Sequence, residues 1–368
     1  MGSTRSLVRR GTFLGYSFLA ACLICLYVFF RQGTGSKINT PDLRVVVKTT
    51  YRPSALEQYI MDGRKTFGYI LFNDDYASGC EVWKSPPSEI ADILTAFAEE
   101  LKSYSAWADS FESFDLKTDL RTHRAADRGR VCNRLQPAIG LNQTFQSGAL
   151  SCTSSGYLEP ILPPMRHPEF CFDGNLLMST KYLVHDFPAL CSRLSANSRT
   201  VFVDLGASLV FHADGEQPTL SLIKLYQKFG FYFDHIYAYE ITPGNATELY
   251  ESLPAEWLAS YHWINAGIET DPTSALNPLR MLIENYEPGD LVVLKIDVDN
   301  PEVELSIINQ ILTNEALHGL IDQLYFEHHV LLEELRVPWG PSVRGSVSDS
   351  LILFHELRSQ GISAHFWV

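Results

Sequence analysis

The chain carries too few basic residues to read nucleic acid: 29 lysines and arginines stand against 43 aspartates and glutamates, a formal net charge of −14. A protein that grips a phosphate backbone gains affinity by releasing counterions with a surplus of Lys and Arg, and no basic stripe occurs here. Among the five cysteines from Cys80 onward, Cys80, Cys132, Cys152, Cys171 and Cys191, there is no CxxC pair and no zinc-type spacing, so those cysteines form no zinc finger or thioredoxin-like motif. No internal repeat is present either, which excludes a solenoid or a propeller.

Charge is missing altogether from one stretch, Gly11 to Phe30. Twenty uncharged residues in a helix rise about 30 Å, enough to cross the hydrocarbon core of a bilayer. The expectation is a single membrane-spanning signal anchor, with residues 1–10 as a cytosolic tail holding Arg5, Arg9 and Arg10. Residues 31–50, with Gly33, Gly35 and Pro41, read as a stalk. The body would then lie on the luminal side of the secretory pathway, in the endoplasmic reticulum or Golgi, as a type II protein. Sequons at Asn142 and Asn245 fit that side as glycosylation sites. Cys22 and Cys25 fall within the span. Cys80, Cys132, Cys152, Cys171 and Cys191 allow up to two bridges, whose pairing cannot be read from sequence.

Residues 51–195 have a mixed pattern and are expected to form a cap or acceptor-binding region. Tyr69 to Phe72 reads as a short strand. Pro86-Pro87-Ser88 opens a helix with an apolar face of Ile90, Ile93, Leu94, Phe97 and Leu101. A second helical stretch is expected over about 175–194, interrupted by Pro188. From residue 196 onward short apolar runs alternate with helical patterns. The runs Val201–Asp204, His235–Glu240, His262–Asn265, Leu291–Asp297, Ile321–Glu327 and Ser363–Val368 read as strands, with helices from Pro218, over Pro301–Leu312 and over 348–359. Near-continuous apolar strands separated by helices predict a mostly parallel sheet covered on both faces, a Rossmann-like α/β domain over residues 196–368.

In such sheets ligands bind beyond the carboxyl ends of the strands, where strand order reverses. Acidic residues recur at those ends: Asp204, Glu240, Asp297 and Glu327. A carboxylate ending the second strand can accept both hydroxyl hydrogens of a ribose, and Glu240 is placed for it. Gly206, Ala207 and Ser208 would let backbone approach a cofactor. His212, in the long loop after them, is a candidate general base. Glu327-His328-His329 is not read as a metal site, because adjacent residues at a strand end point in opposite directions.

The residues Val203-Asp204-Leu205-Gly206-Ala207-Ser208, Tyr239-Glu240-Ile241-Thr242-Pro243 and Lys295-Ile296-Asp297-Val298-Asp299-Asn300 together resemble the FkbM-like, S-adenosylmethionine-dependent methyltransferases. The resemblance covers about residues 198–366. It implies a class I methyltransferase fold and S-adenosyl-L-methionine as cofactor, with no metal. Asp204, Gly206, Ala207, Ser208, Glu240 and Asn265 would bind that cofactor, and Asp297 would face the transferred methyl group and an unidentified acceptor, for which a carbohydrate hydroxyl is the candidate. Val210 stands where the family has a second glycine, and Asp299-Asn300 where it has Glu-Gly. These departures leave a non-catalytic Rossmann-like binding domain as an alternative. Another is a Golgi-type glycosyltransferase holding manganese through Asp297-Val298-Asp299.

Overall fold

The structure is a computed structural model, and it describes residues 51–63, 85–86, 88–110, 146–151, 154–161, 182–195, 197–207, 218–330, 343 and 345–367. The expected span Gly11 to Phe30, the strand over 69–72, the sequon at Asn142, and Ser208, Val210 and His212 lie outside those residues. The described residues belong to one compact unit, Lys48–Val368.

Eight strands are described. β1 (Gln146–Ser151) and β2 (Ser154–Leu158) form an antiparallel hairpin. The other six are β3 (Thr200–Leu205), β4 (His235–Tyr239), β5 (Tyr261–Ile264), β6 (Leu291–Ile296), β7 (Gln323–Phe326) and β8 (Ser363–Phe366). They make one sheet in the order β5-β4-β3-β6-β7-β8, and every pairing is parallel. That is the 3-2-1-4-5-6 order of doubly wound nucleotide-binding sheets.

The expected fold class needs two corrections. The described sheet is wholly rather than mostly parallel, because Ser363–Phe366 adds alongside β7 in the same direction. The membrane helix is not carried by the structure either: among the described residues no helix is long and apolar enough to cross a membrane. Even α2 (Ser88–Ser110), at 23 residues, carries Glu89, Asp92, Glu99 and Lys102 opposite its buried Ile90, Leu94, Phe97 and Leu101. It is a surface helix with one apolar stripe.

Strand alternation sorts the core onto the two faces. Val201, Val203, Leu205, Val292, Leu294, Ile296, Leu324 and Phe326 pack against α1 (Ala55–Gly63), α2, α6 (Pro278–Asn285), α7 (Pro301–Thr313), α8 (Glu315–His318) and α9 (Val347–Ser359). Phe202, Ile236, Ala238, Leu291, Val293 and Tyr325 pack against α3 (Phe187–Arg193), α4 (Pro218–Lys228) and α5 (Ala246–Ser252). The N-terminal helices thus share a core with the sheet. Pro188 does not interrupt a helix as expected but begins one, since Asp186 caps it and proline at the first turn forfeits no hydrogen bond. Cys191, on the same short helix, is disulfide-bonded to a partner outside the described residues.

One lateral row of the second face is polar. Register aligns Asp204 with Lys295, Lys295 with Tyr325 and Tyr325 with His365. At its far end His185 Nε2 lies 2.5 Å from the Tyr325 hydroxyl, which meets the Tyr226 hydroxyl at 2.9 Å. Burial, and then the neighbouring His365, hold His185 well below the usual histidine range. The folded chain therefore keeps this ring neutral while the unfolded chain protonates it below about pH 6.5. Stability is expected to be undiminished above that pH and to fall below it, by up to about 1.4 kcal/mol per unit from this group. Melts of wild type and His185→Gln between pH 7.5 and 5.5 check this. The variant should lose less on acidification, and parallel losses would remove the assignment.

Candidate active site at the strand ends

The chain runs from β3 to β4 and β5 on one side and then returns to β6 on the other. The reversal lies between β3 and β6, so the crevice expected of such sheets opens at Gly206 and Asp297. Here the backbones cross closely. Gly206 has φ +89°, and a Cβ on it would sit 1.5 Å from the Asp297 carbonyl oxygen, so only glycine fits. The Gly206 and Ala207 N–H groups both donate to the Tyr239 carbonyl, at 3.0 and 2.9 Å. They tie β3 to β4 and are not turned toward a ligand.

Asp204 and Lys295 face each other by register. Lys295 Nζ sits 3.1 Å from Asp204 Oδ1 and 2.9 Å from Asp297 Oδ2, and donates to the Gly206 carbonyl at 3.2 Å. Both Lys295 and Asp204 are buried. Burial raises Asp204 above the usual carboxylate range, with Lys295 opposing. Burial likewise works against a charge on Lys295, yet Asp204 and Asp297 win and hold the ammonium above its ordinary value. Asp204 is thus a buried counterion that fixes Lys295.

Asp297 is the better-placed carboxylate. Its Oδ2 takes Lys295 and the indole N–H of Trp367 at 3.2 Å. Burial pushes Asp297 up, but Lys295 and a hydrogen bond from Glu327 bring it below its usual range. Glu327 moves the other way: burial and then the Asp297 charge raise it well above normal, so it carries the shared proton.

Glu240 directly follows β4, one strand from the reversal, and its Oε1 accepts the Thr242 N–H at 2.6 Å. Asn265, at the end of β5, donates from Nδ2 to the Glu240 and Thr242 carbonyls at 2.8 Å each. Its amide shapes the turn that presents Glu240. Asn245 caps α5, accepting from the Thr247 N–H at 3.0 Å. Its side chain is exposed.

Sequence reasoning missed the second half of this edge. Residues two apart on an extended segment share a side, so Glu327 and His329 converge while His328 turns away to Ser350 Oγ at 2.9 Å. Burial and the adjacent His329 lower His328 to about 4. His329 Nδ1 meets Glu304 Oε2 at 2.9 Å, and its Nε2 lies 3.5 Å from Glu327 Oε2 and 3.9 Å from Asp299 Oδ1. Glu304 is itself buried in the first turns of α7 and accepts the Val298 N–H through its other oxygen at 3.1 Å. A lysine inside the apolar run of β6 and a glutamate on the buried side of α7 were the available signals. Comparison with models of protein families, with curated proteins and with solved structures finds no match to this chain.

Proposed function

We propose that the chain is an S-adenosylmethionine-dependent methyltransferase that moves a methyl group to an oxygen of an acceptor. The observation that carries this reading is Glu240: a carboxylate on the loop ending the second strand of the nucleotide-binding order, one strand from the strand-order reversal and held there by Thr242 and Asn265. Glu240 takes the ribose hydroxyls. Asp297, fixed by Lys295 and Trp367, borders the transfer site. The acceptor oxygen attacks the S-methyl carbon in line as the carbon–sulfur bond breaks, leaving the neutral thioether and a proton to be shed by the acceptor. Because the sulfonium is already a good leaving group, the protein contributes mainly by positioning. The disulfide at Cys191 supports an oxidising compartment for this activity.

Glycosyl transfer through Asp297 and Asp299 is the weaker reading. Asp297 Oδ2 is engaged by Lys295 and Trp367, and Asp299 turns instead toward His329, so the two carboxylates do not form one metal pair.

Calorimetry with S-adenosylmethionine and its demethylated product tests the proposal. Glu240→Ala should cost about 1.5–3 kcal/mol of binding, roughly 10- to 150-fold in affinity. Glu240→Gln, which keeps one acceptor, should cost less. Equal binding by wild type and both variants, or none by wild type, would remove the reading.

A further inference from the structure

We propose that Asp299, Glu327 and His329 bind a divalent metal ion of the manganese or zinc type at the carboxyl edge of β6 and β7. One ligand atom from each lies within 4.8 Å of the others. Three donors around an ion at about 2.1 Å stand roughly 3–3.5 Å apart. His329 Nε2 is already 3.5 Å from Glu327 Oε2, and 3.9 Å from Asp299 Oδ1. Closing the triangle asks only a side-chain adjustment of Asp299, whose carboxylate is half exposed.

The second argument is the way His329 is held. Its Nδ1 is anchored at 2.9 Å to Glu304, a carboxylate that is itself buried and fixed through Val298. A histidine that donates one ring N–H to a buried carboxylate presents the lone pair of the other nitrogen outward, which is the arrangement that orients imidazole ligands on metals. Here that second nitrogen faces two carboxylate oxygens. His329 Nε2 and the two carboxylates thus converge on one point, and a cation that takes the place of the Glu327 proton is held by all three.

Burial is graded across the cluster. The His329 side chain is fully buried, that of Glu327 is 22% exposed and that of Asp299 is 49% exposed. An ion would rest on the imidazole floor with its remaining positions toward solvent, open to water or to an oxygen ligand. Two carboxylates and one imidazole favour manganese or zinc, whereas magnesium and calcium prefer all-oxygen shells. The site does not depend on methyl transfer.

A protonated His329 would hold the same cluster together without an ion, and titration of the metal separates the two. The purified, chelator-stripped chain should bind manganese or zinc saturably at pH 7.5 with no S-adenosylmethionine present, and magnesium and calcium at least tenfold more weakly. Asp299→Asn, at an exposed position with φ 55° that asparagine tolerates, should weaken binding at least tenfold without harming the fold. Glu304→Gln, which only disturbs the ligand's support, should weaken it about 10- to 100-fold. Glu302→Gln, on the exposed side of the same helix, should leave it unchanged. Absence of saturable manganese or zinc binding overturns the proposal, as does unchanged affinity in Asp299→Asn. Success or failure here is read independently of cofactor binding.

Discussion

Lys295→Met is expected to lower the unfolding free energy by about 3–5 kcal/mol, the cost of leaving the buried Asp204 and the partly buried Asp297 without their cation. Lys295 is 2% exposed and satisfies Asp204 Oδ1, Asp297 Oδ2 and the Gly206 carbonyl at once. Methionine fills a similar volume, so the loss is electrostatic rather than a cavity. Asp297 keeps the Trp367 indole, but Asp204, 3% exposed, has no replacement among the groups around it. Urea denaturation of the single and double variants checks the pairing. Lys295→Met combined with Asp204→Asn should lose less than the two singles added together, by at least about 1 kcal/mol. Strict additivity would mean that the ion pair does not couple the two strands.

Arg358→Met is expected to have an effect of the same size, but spread over different parts of the chain. Arg358 is 2% exposed, and its guanidinium reaches the Glu159 carbonyl at 2.8 Å, Glu57 Oε2 and Glu159 Oε1 at 3.4 Å, and the Ala364 carbonyl at 2.9 Å. Glu57 and Glu159 are both buried, and each also accepts a backbone N–H, from Ile161 at 3.0 Å and Val184 at 2.9 Å. Without the guanidinium, two buried carboxylates lose their countercharge, for about 3–5 kcal/mol. The damage should be localised before it is global. Amide hydrogen exchange over 55–63 and 158–161 should accelerate more than over β3 and β6. Uniform acceleration across the sheet would show that Arg358 supports the whole domain rather than anchoring its N-terminal layer.

The sheet was legible because its strands violate almost nothing. Leu291-Val292-Val293-Leu294 is apolar on both faces, as a central parallel strand must be, and Asn300-Pro301 announces α7 with a cap and a first-turn proline. Lys295 was the local exception within that run, and exceptions of this kind tend to mark sites. Its partner could not be read, because pairing Asp204 with Lys295 requires the register of two strands separated by 91 positions. The same holds for Trp367 on Asp297, which depends on β8 adding beside β7. Glu327 and His329 were visible as neighbours, but treating 327–329 as one alternating set hid that the first and third share a side. Asp299 joins them only because β6 and β7 are adjacent. Gly206 was read as leaving room for a cofactor; the fold uses that room for the Asp297 carbonyl.

The Arg358 anchor also has a consequence in time. It joins Glu57 across 301 positions and Glu159 across 199. Contacts between such distant segments slow folding, since the chain must close a long loop before anything rewards it. Until α9 and β8 have added to the sheet, Glu57 and Glu159 have no reason to leave water, and Leu56 and Ile60 have no finished surface to cover. The N-terminal layer is therefore expected to dock after the sheet has assembled. A chain in which that docking is slowed, as in Arg358→Met, would expose the apolar surface that Leu56 and Ile60 cover in the folded core, and is expected to self-associate more readily on refolding.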